Sequence, residues 1–249
     1  MKEHFFICGF HAVAGEIRRS PASVKQVYLQ RNRDDGRARE LVMHAQAHDI
    51  RLARVERARL DGMTAGARHQ GVVARIERGE AQEDLGDVLA ASDSNTLLLA
   101  LDGVQDPRNL GACVRVADGF GVKAVIAPKD RAAGMTMTAS KVASGAALPF
   151  IAVTNLARSL SELAQNGFKI VGAAHDAEND IRETGLGGRI VWVLGAERKG
   201  LRRLTRERCD TLVRIPMMGS VASLNLAVAC GICLYETWRQ RARVGGSQT

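Results

Sequence analysis

Carboxylate, amide, hydroxyl and guanidinium side chains stand in three loops of the chain, each of which directly follows a short apolar segment. An amide can hold a hydroxyl group, a carboxylate can accept its proton, and a guanidinium can bind phosphate. Ligands of open α/β sheets bind beyond the carboxyl ends of the strands, where such loops lie. The candidate side chains are Asn109, Arg115, Glu197, Ser223 and Asn225.

The first loop follows the segment that ends at Asp102, and it runs into a helical pattern. Asn109 is a good N-cap for that helix, so its amide has a structural interpretation beside a chemical one. Arg115 falls on the second helical turn. It is either a solvated surface residue or, together with Arg108, a group that holds phosphate near the strand ends.

The second loop contains Gly195 and Gly200 at the spacing of a phosphate-binding P-loop. Leu201 and Arg202 stand where that loop needs Lys and Ser or Thr, which excludes nucleotide hydrolysis. No Gly-x-Gly-x-x-Gly follows any predicted strand, and this argues against a dinucleotide-binding dehydrogenase. What remains is a loop whose backbone can approach a ligand closely, with Glu197 available as a hydrogen-bond acceptor.

The third loop begins at Pro216, which ends a strand, and passes a tight turn at Gly219. Either Ser223 or Asn225 can cap the final helix. Asn225 lies at the apolar start of that helix, where a polar amide is either satisfied structurally or used in chemistry.

Alternating strand and helix patterns must position these loops. The first part of the chain predicts a helix over 9–19, strands over 24–30, 50–55 and 71–76, and a helix over 38–48. Beyond an acidic stretch with a short helical turn at 85–91, strands are predicted over 96–102, 124–127, 151–153, 169–174, 190–194 and 211–215. Helices are predicted over 110–120, 140–146, 156–166, 201–208 and 224–243.

Strict alternation of near-continuous apolar strands with helices predicts a parallel sheet that is covered on both faces. We therefore expect an α/β protein with a small first domain over 1–76, a linker over 77–94, a larger domain over 95–243, and a disordered tail over 244–249.

The chain is basic, with a net charge of +8, which suits a polyanionic partner such as nucleic acid. No segment has the pattern of a secretory signal or a bilayer-spanning helix, so we expect a cytoplasmic protein. Cys230 and Cys233 have the spacing of a redox motif but lie inside an apolar helical run. We therefore interpret them as buried structural residues and expect no metal.

The three loops together resemble the motifs of the SpoU/TrmH family of RNA ribose 2′-O-methyltransferases. The matching segments are Asn109-Leu-Gly-Ala with Arg115, Leu194-Gly195-Ala-Glu197 through Gly200, and Ile215-Pro-Met through Ser223-Leu-Asn225. The resemblance continues at Gly9-Phe10-His11 near the start and at His69-Gln70-Gly71. Within the family, the chain is most similar to the members that methylate a guanosine ribose in 23S ribosomal RNA.

The resemblance implies a SPOUT-type second domain with a deep C-terminal trefoil knot, S-adenosyl-L-methionine as cofactor, and a homodimer with the active site near the subunit interface. It also implies a ribosomal-protein-like RNA-binding domain over 1–76. Asn109, Arg115, Glu197, Ser223 and Asn225 would form the catalytic constellation. The residues expected to contact the cofactor are Ala174, Gly195, Ile215, Met217 and Leu224.

Two assignments stay open within this interpretation. Arg115 is either the base of the reaction or an anchor for phosphate or alkoxide, and the second role suits a group that remains protonated in proteins. The substrate could also be transfer RNA, or the chain could be an inactive RNA-binding factor of ribosome assembly that has lost the chemistry.

Overall fold

The structure is a computed structural model that describes residues 4–64, 68–77, 84–130, 132–146, 148–197, 199–221 and 223–245. The chain forms two compact units, one of residues 1–82 and 136–147 and the other of residues 83–135 and 148–249. Two predicted segments lie partly outside the described residues. These are the linker, at residues 78–83, and the tail, at residues 246–249.

The first unit is a small α/β sandwich. Its α-helices and β-strands up to residue 77 are β1 (His4–Cys8), α1 (Phe10–Arg19), β2 (Val24–Gln30), α2 (Gly36–Ala47), β3 (Arg51–Val55), α3 (Arg57–Met63) and β4 (Val72–Glu77). The strands form one sheet in the order β1-β4-β2-β3, in which only β2 and β3 run parallel. The carboxyl ends of β1, β2 and β3 and the start of β4 therefore meet at one edge of the sheet.

Two apolar clusters hold this sheet from its two faces. Val13 and Ile17 of α1 and Leu41 of α2 pack on one face, while Leu60 of α3 packs on the other. Their spacing along each helix places them on one side of it, so that burial of this side, rather than helix propensity, fixes the helices to the sheet.

The second unit contains α4 (Leu85–Ala90), β5 (Leu97–Asp102), α5 (Pro107–Gly119), β6 (Ala124–Pro128), β7 (Phe150–Val153), α7 (Leu156–Gln165), β8 (Lys169–Ala173), β9 (Asn179–Asp180), β10 (Ile190–Gly195), α8 (Arg203–Arg206), β11 (Thr211–Arg214) and α9 (Leu226–Gly245). The helix between β6 and β7, α6 (Met137–Ala143), belongs to the first compact unit.

The predicted parallel sheet is confirmed. Seven strands lie in the order β7-β6-β5-β10-β8-β11-β9, and every neighbouring pair is parallel. The central strands β5 and β10 are buried along almost their whole length, which explains why their sequences are continuous apolar runs rather than alternating ones. The trefoil knot and the predicted domain boundaries stay predictions.

Several predicted bounds were inexact for physical reasons. The helix expected over 201–208 is the single turn α8, because the backbone N–H of Arg202 donates to the carboxylate of Asp102 and holds residue 202 outside the helix. The sequence pattern missed β1, the short β9, and α3, in which Leu60 is the buried residue. Within the described ranges, no helix has the length and apolar character that crossing a bilayer requires.

Candidate active site

The three sequence-predicted loops meet at the carboxyl edge of the parallel sheet. The end of β10 lies beside the end of β5, with Gly195 directly opposite Asp102 in the register. The first and second loops leave the sheet from these two neighbouring positions, and the third follows β11 on the far side of β8. This topology is what brings residues 109, 197 and 225 together although they are far apart in sequence.

Asn109 lies in the first turn of α5 and is not its N-cap, so the capping interpretation was wrong. Asp106 caps the helix instead, accepting a hydrogen bond from the backbone N–H of Arg108 at 2.8 Å. With Pro107 at the start of the helix and Asp106 as cap, the amide of Asn109 is free for another partner. Its Nδ2 donates to Oε1 of Glu197 at 2.8 Å.

Glu197 is the centre of the arrangement. Its Oε1 accepts hydrogen bonds from Nδ2 of Asn109 at 2.8 Å and from Nδ2 of Asn225 at 3.1 Å, and the backbone N–H of Leu226 points to it at 3.5 Å. The carboxylate is exposed to solvent. A carboxylate that is oriented by two amides and open to solvent can accept a hydrogen bond or a proton from a ligand that enters from outside.

Asn225 combines the structural and the chemical interpretations. Its Oδ1 caps α9 by accepting from the backbone N–H groups of Ala227 at 2.9 Å and Val228 at 3.4 Å. Its Nδ2 donates to Glu197 and, at 3.1 Å, to Oδ1 of Asn109. The helix start and the polar cluster thus share one side chain, and Asn109, Asn225 and Glu197 form a closed triangle of hydrogen bonds, here called the polar triad.

The other two candidates lie outside the triad. Arg115 is exposed on α5 and makes no hydrogen bond or ion pair with a described residue. Ser223 is exposed two residues before Asn225 and lines the adjoining cavity, and it does not cap α9. The structure therefore brings together three of the five predicted residues directly and a fourth at the edge of the same cavity.

Glycine is required where the second loop turns back. Ala196 and Gly200 form an isolated antiparallel bridge, with the N–H of Gly200 donating to the carbonyl of Ala196 at 2.8 Å. A Cβ added at Gly195 would overlap the backbone of Gly200 and Leu201. Gly200 itself has a φ of +61°, which favours glycine. The two glycines fold the loop tightly and present Glu197 at its tip.

A cavity of about 940 Å³ lies next to the triad, between the loops that follow β8, β10 and β11. Its size falls within the range of cofactor sites. Glu197 and Ser223 lie on its wall. All five residues expected to contact a cofactor line it as well: Ala174, Gly195, Ile215, Met217 and Leu224.

The cavity wall also carries an ion pair, between Arg206 and Asp176, that was not predicted from the sequence. Nη1 of Arg206 donates to Oδ1 of Asp176 at 2.9 Å, and this hydrogen bond holds the pKa of the Asp176 carboxyl below its ordinary value. Arg206 belongs to the single turn α8 and Asp176 to the loop after β8. No local sequence signal links the two residues, because only the sheet order places their loops side by side.

Asp102 also positions the candidate site, and it stands in the sequence as an acid at the end of a buried apolar strand. Its side chain is fully buried, and its Oδ2 accepts from the backbone N–H of Arg202 at 2.8 Å. The Arg202 Nε lies 3.5 Å from Oδ1, close enough for charge attraction but not aligned as a hydrogen bond. Asp102 therefore fixes both ends of the loop that carries Glu197, at Gly195 through strand pairing and at Arg202 through its carboxylate.

The cysteine pair is buried inside a helix, as its apolar surroundings in the sequence predict. Cys230 and Cys233 lie within α9 and are fully buried, next to the equally buried Cys113 of α5. The pKa of the Cys230 thiol is raised mainly by its hydrogen bond with Cys113 and also by burial. Burial likewise raises the pKa of the Cys233 thiol. Among the described residues, no group of His, Cys, Asp and Glu has the composition of a metal site.

Both units match models of protein families. Residues 96–235 match the SpoU rRNA Methylase family, and residues 6–82 match the RNA 2′-O ribose methyltransferase substrate-binding domain. The two matches cover the three loops and the whole four-stranded sheet, except for the start of β1.

Curated proteins match along nearly the whole chain. The 23S rRNA (guanosine-2′-O-)-methyltransferase RlmB of Nitrosomonas europaea is 52% identical over 244 residues, which cover 97% of this chain and 94% of that protein. RlmB of Coxiella burnetii is 51% identical over 239 residues, which cover 94% of this chain and 95% of that protein.

Solved structures share the fold. The SpoU methyltransferase AviRb of Streptomyces viridochromogenes, in complex with the cofactor AdoMet, superimposes with a TM-score of 0.82 over 96% of this chain and 91% of that chain, at 23% identity. An AdoMet-bound rRNA methyltransferase of Sinorhizobium meliloti gives a TM-score of 0.79 over 95% and 87%, also at 23% identity. The family models and the curated relatives together establish that the chain belongs to the SpoU rRNA methylase family.

Proposed function

We propose that this protein transfers a methyl group from S-adenosyl-L-methionine to the ribose 2′-hydroxyl of a guanosine in 23S ribosomal RNA. The proposal rests on the sequence identity of 49–52%, over both units, with relatives that are named for this reaction. The TrmH/SpoU tRNA modifying enzyme of A. aeolicus matches 65% of this chain, at a TM-score of 0.53 and 29% identity. The extended match favours ribosomal over transfer RNA.

The cavity fits the cofactor in size and in chemistry. Ala174, Ile215, Met217 and Leu224 offer apolar surface for a purine ring, and the backbone groups of the loops can meet its polar edge. The Asp176–Arg206 pair offers one charge of each sign to a ligand that carries both an ammonium and a carboxylate. We propose these residues, together with Gly195, as the cofactor site.

When bound, S-adenosyl-L-methionine supplies an electrophilic methyl group on a sulfonium. The residues of the chain must then orient the ribose hydroxyl and accept or share its proton. Glu197 is the proposed acceptor, because it lies both on the cavity wall and in the polar triad. Asn109 and Asn225 hold its carboxylate in one orientation, and Ser223 is placed to donate a hydrogen bond at the cavity edge.

Arg115 is proposed as an anchor for an RNA phosphate. It is exposed and has no described partner to neutralise it, so its guanidinium is free to form charge-assisted hydrogen bonds with an anion. A protonated guanidinium serves this role without giving up a proton. The base role that the family resemblance leaves open would need a proton acceptor that this side chain does not provide.

The active assembly is proposed to be a homodimer. On α9, Val228, Tyr235 and Trp238 are 51%, 49% and 55% exposed, and Phe120 at the end of α5 lies edge-on to Tyr235 at 6.4 Å. Exposed aromatic clusters of this kind mark interaction surfaces. A second copy of the chain would bury them, and the start of α9 connects this surface directly to the triad at Asn225.

The experiment that tests the proposed function supplies separate unmodified transcripts of 23S, 16S and transfer RNA with methyl-labelled cofactor. Label in the 23S transcript is expected. Label in transfer RNA instead would keep the chemistry and overturn the substrate. Cofactor binding in calorimetry without transfer to a 23S transcript or an assembled 50S precursor would favour an inactive assembly factor. The expected site of action, on ribosomal RNA, is the cytoplasm.

A further inference from the structure

Two motifs of the first unit, Gly9-Phe10-His11 and His69-Gln70-Gly71, have no part in the proposed chemistry. The structure brings them together at the sheet edge where β1 ends and β4 begins, with Cys8 opposite Val73 in the register. A Cβ added at Gly9 would stand 3.7 Å from Oε1 of Gln70. The side chain of Gln70 therefore lies over the backbone of Gly9.

Gln70 has an unusual backbone conformation for its position. Three non-glycine residues among those described have a positive φ: Asp49 at 54°, Gln70 at 52° and Ser144 at 51°. Ser144 is the C-cap of α6 and Asp49 directly follows the C-cap of α2, positions where a left-handed residue commonly terminates a helix. Gln70 ends no helix. It and Gly71 are instead the two central residues of a tight turn, both with a positive φ, which the backbone N–H of Val72 closes by donating to the carbonyl of His69 at 3.0 Å. Such turns favour glycine, asparagine and aspartate, so a glutamine at this position is unusual.

A buried histidine maintains this conformation. His69 is 4% exposed, its Nδ1 accepts from the backbone N–H of Gly71 at 3.0 Å, and its Nε2 lies 2.8 Å from Oδ1 of Asp61. The Gly71 bond requires Nδ1 to be unprotonated, so Nε2 carries a proton and donates it to Asp61. The pair thereby fixes the turn from His69 to Gly71 on one side.

Arg33 fixes the turn on the other side. Its Nη1 donates to the carbonyl of Gln70 at 2.8 Å, its Nε bonds Asp35 at 2.6 Å, and its guanidinium lies 5.0 Å above the ring of Phe10. Gly71 has a φ of +83° and lies directly against the Arg33 side chain, so that an added Cβ would stand 3.1 Å from Cδ of Arg33. The backbone of Gln70 is held from both sides, whereas its side chain is exposed and its amide has no hydrogen-bond partner among the described residues.

From this arrangement we infer that Gln70 is a specificity-determining residue that hydrogen-bonds the edge of an unpaired base in the substrate RNA; the inference rests on the proposed function. A primary amide presents a donor and an acceptor side by side, which is the pattern that reads base edges. Proteins read RNA sequence mainly at unpaired bases, whose edges are accessible. A fixed backbone lowers the entropy lost when the amide binds.

Charged groups at the same sheet edge suit an RNA backbone. Arg54 donates to the carbonyls of Arg31 and Arg33 at 3.1 Å, and Arg31 pairs with Glu56 at 2.9 Å. Arg68 is exposed next to the turn. The acids at this edge, which are Asp34, Asp35, Glu56 and Asp61, are each engaged with an arginine or histidine. Cations that contact phosphate would fix the register of the RNA while Gln70 contacts a base.

The test replaces Gln70 by glycine, which accepts a positive φ without strain but has no amide. Two variants serve as controls: Asp49→Gly changes the other exposed left-handed residue of the same unit, and Gln46→Ala removes an exposed amide from α2. Each protein is measured for its melting temperature and for its affinity, by filter binding over a range of salt, for unmodified 23S and 16S ribosomal RNA transcripts.

For Gln70→Gly we expect an unchanged or raised melting temperature and an affinity for the 23S transcript about tenfold weaker. The affinity for 16S RNA and the salt dependence should stay the same, because no phosphate contact is lost. The control variants should bind as wild type. An unchanged 23S affinity, or an equal loss on both transcripts, would overturn the inference. A wild-type protein that binds 23S RNA but transfers no methyl group would overturn the proposed function alone.

Discussion

Asn225 allows stability and chemistry to be separated at a single position. Its Oδ1 caps α9, and its Nδ2 donates to Glu197 and Asn109 at 3.1 Å each. Serine and alanine at this position both remove the amide nitrogen that donates to Glu197 and Asn109. Serine keeps an oxygen that can cap the helix, whereas alanine does not.

The expected magnitudes follow from these contacts. Loss of the cap in Asn225→Ala should cost about 1 kcal/mol, which lowers the melting temperature by about 2–4 °C in a domain of this size. Asn225→Ser should melt close to wild type. Loss of one hydrogen bond to a carboxylate and one to an amide costs roughly 2 kcal/mol where both matter in the transition state. That corresponds to a rate about thirtyfold slower in both variants.

The assay is single-turnover transfer of labelled methyl to a 23S transcript at saturating cofactor, beside thermal unfolding and cofactor titration by calorimetry. Similar cofactor affinity in all three proteins would show that the cavity is intact. Wild-type turnover by Asn225→Ser would refute the triad as the reacting group. A rate loss that scales with the loss of stability would show that Asn225 acts only as a helix cap.

Further outcomes are expected elsewhere in the second unit. Gly195→Ala should weaken cofactor binding at least tenfold in calorimetry, because the new Cβ overlaps the returning loop, whereas Gly187→Ala, where a Cβ meets nothing within 4 Å, should bind normally. In analytical ultracentrifugation, Trp238→Glu should give a monomer and Met43→Glu, at an equally exposed position of the first unit, should not; a Trp238→Glu dimer would exclude this surface. At pH 8 the two cysteines of α9 should react with a thiol reagent only after unfolding, since their raised pKa keeps them protonated; fast labelling of the folded protein would contradict their burial.

Local sequence patterns were sufficient to predict the elements whose structure depends on their own residues. The buried strands β5 and β10 are continuous apolar runs, and the sequence predicted them within a residue or two. The length of α8 was overestimated because the backbone N–H of Arg202 donates to the carboxylate of Asp102, one hundred positions earlier. No local sequence pattern contains this contact.

The candidate site shows the same division. Residue types and loop positions made Asn109, Glu197 and Asn225 candidates, and the family resemblance implied their roles, which stay predictions. The capping role of Asn109 was mistaken, since Asp106, three residues earlier, is an equally good cap and Pro107 sets the helix start after it. The Asp176–Arg206 pair joins two loops through sheet order alone, so it could be seen only in three dimensions.

The identity of the methylated product tests the proposed reaction most directly. Unmodified 23S RNA is labelled with methyl from S-adenosyl-L-methionine by the wild-type protein and by Glu197→Gln, which keeps the shape of the triad without its charge. With the wild type we expect label in alkali-resistant dinucleotides, recovered as 2′-O-methylguanosine. In the variant we expect strongly reduced transfer with undiminished cofactor binding. Label on a base, which alkali would release in a mononucleotide, or full activity without the carboxylate, would contradict the proposed reaction.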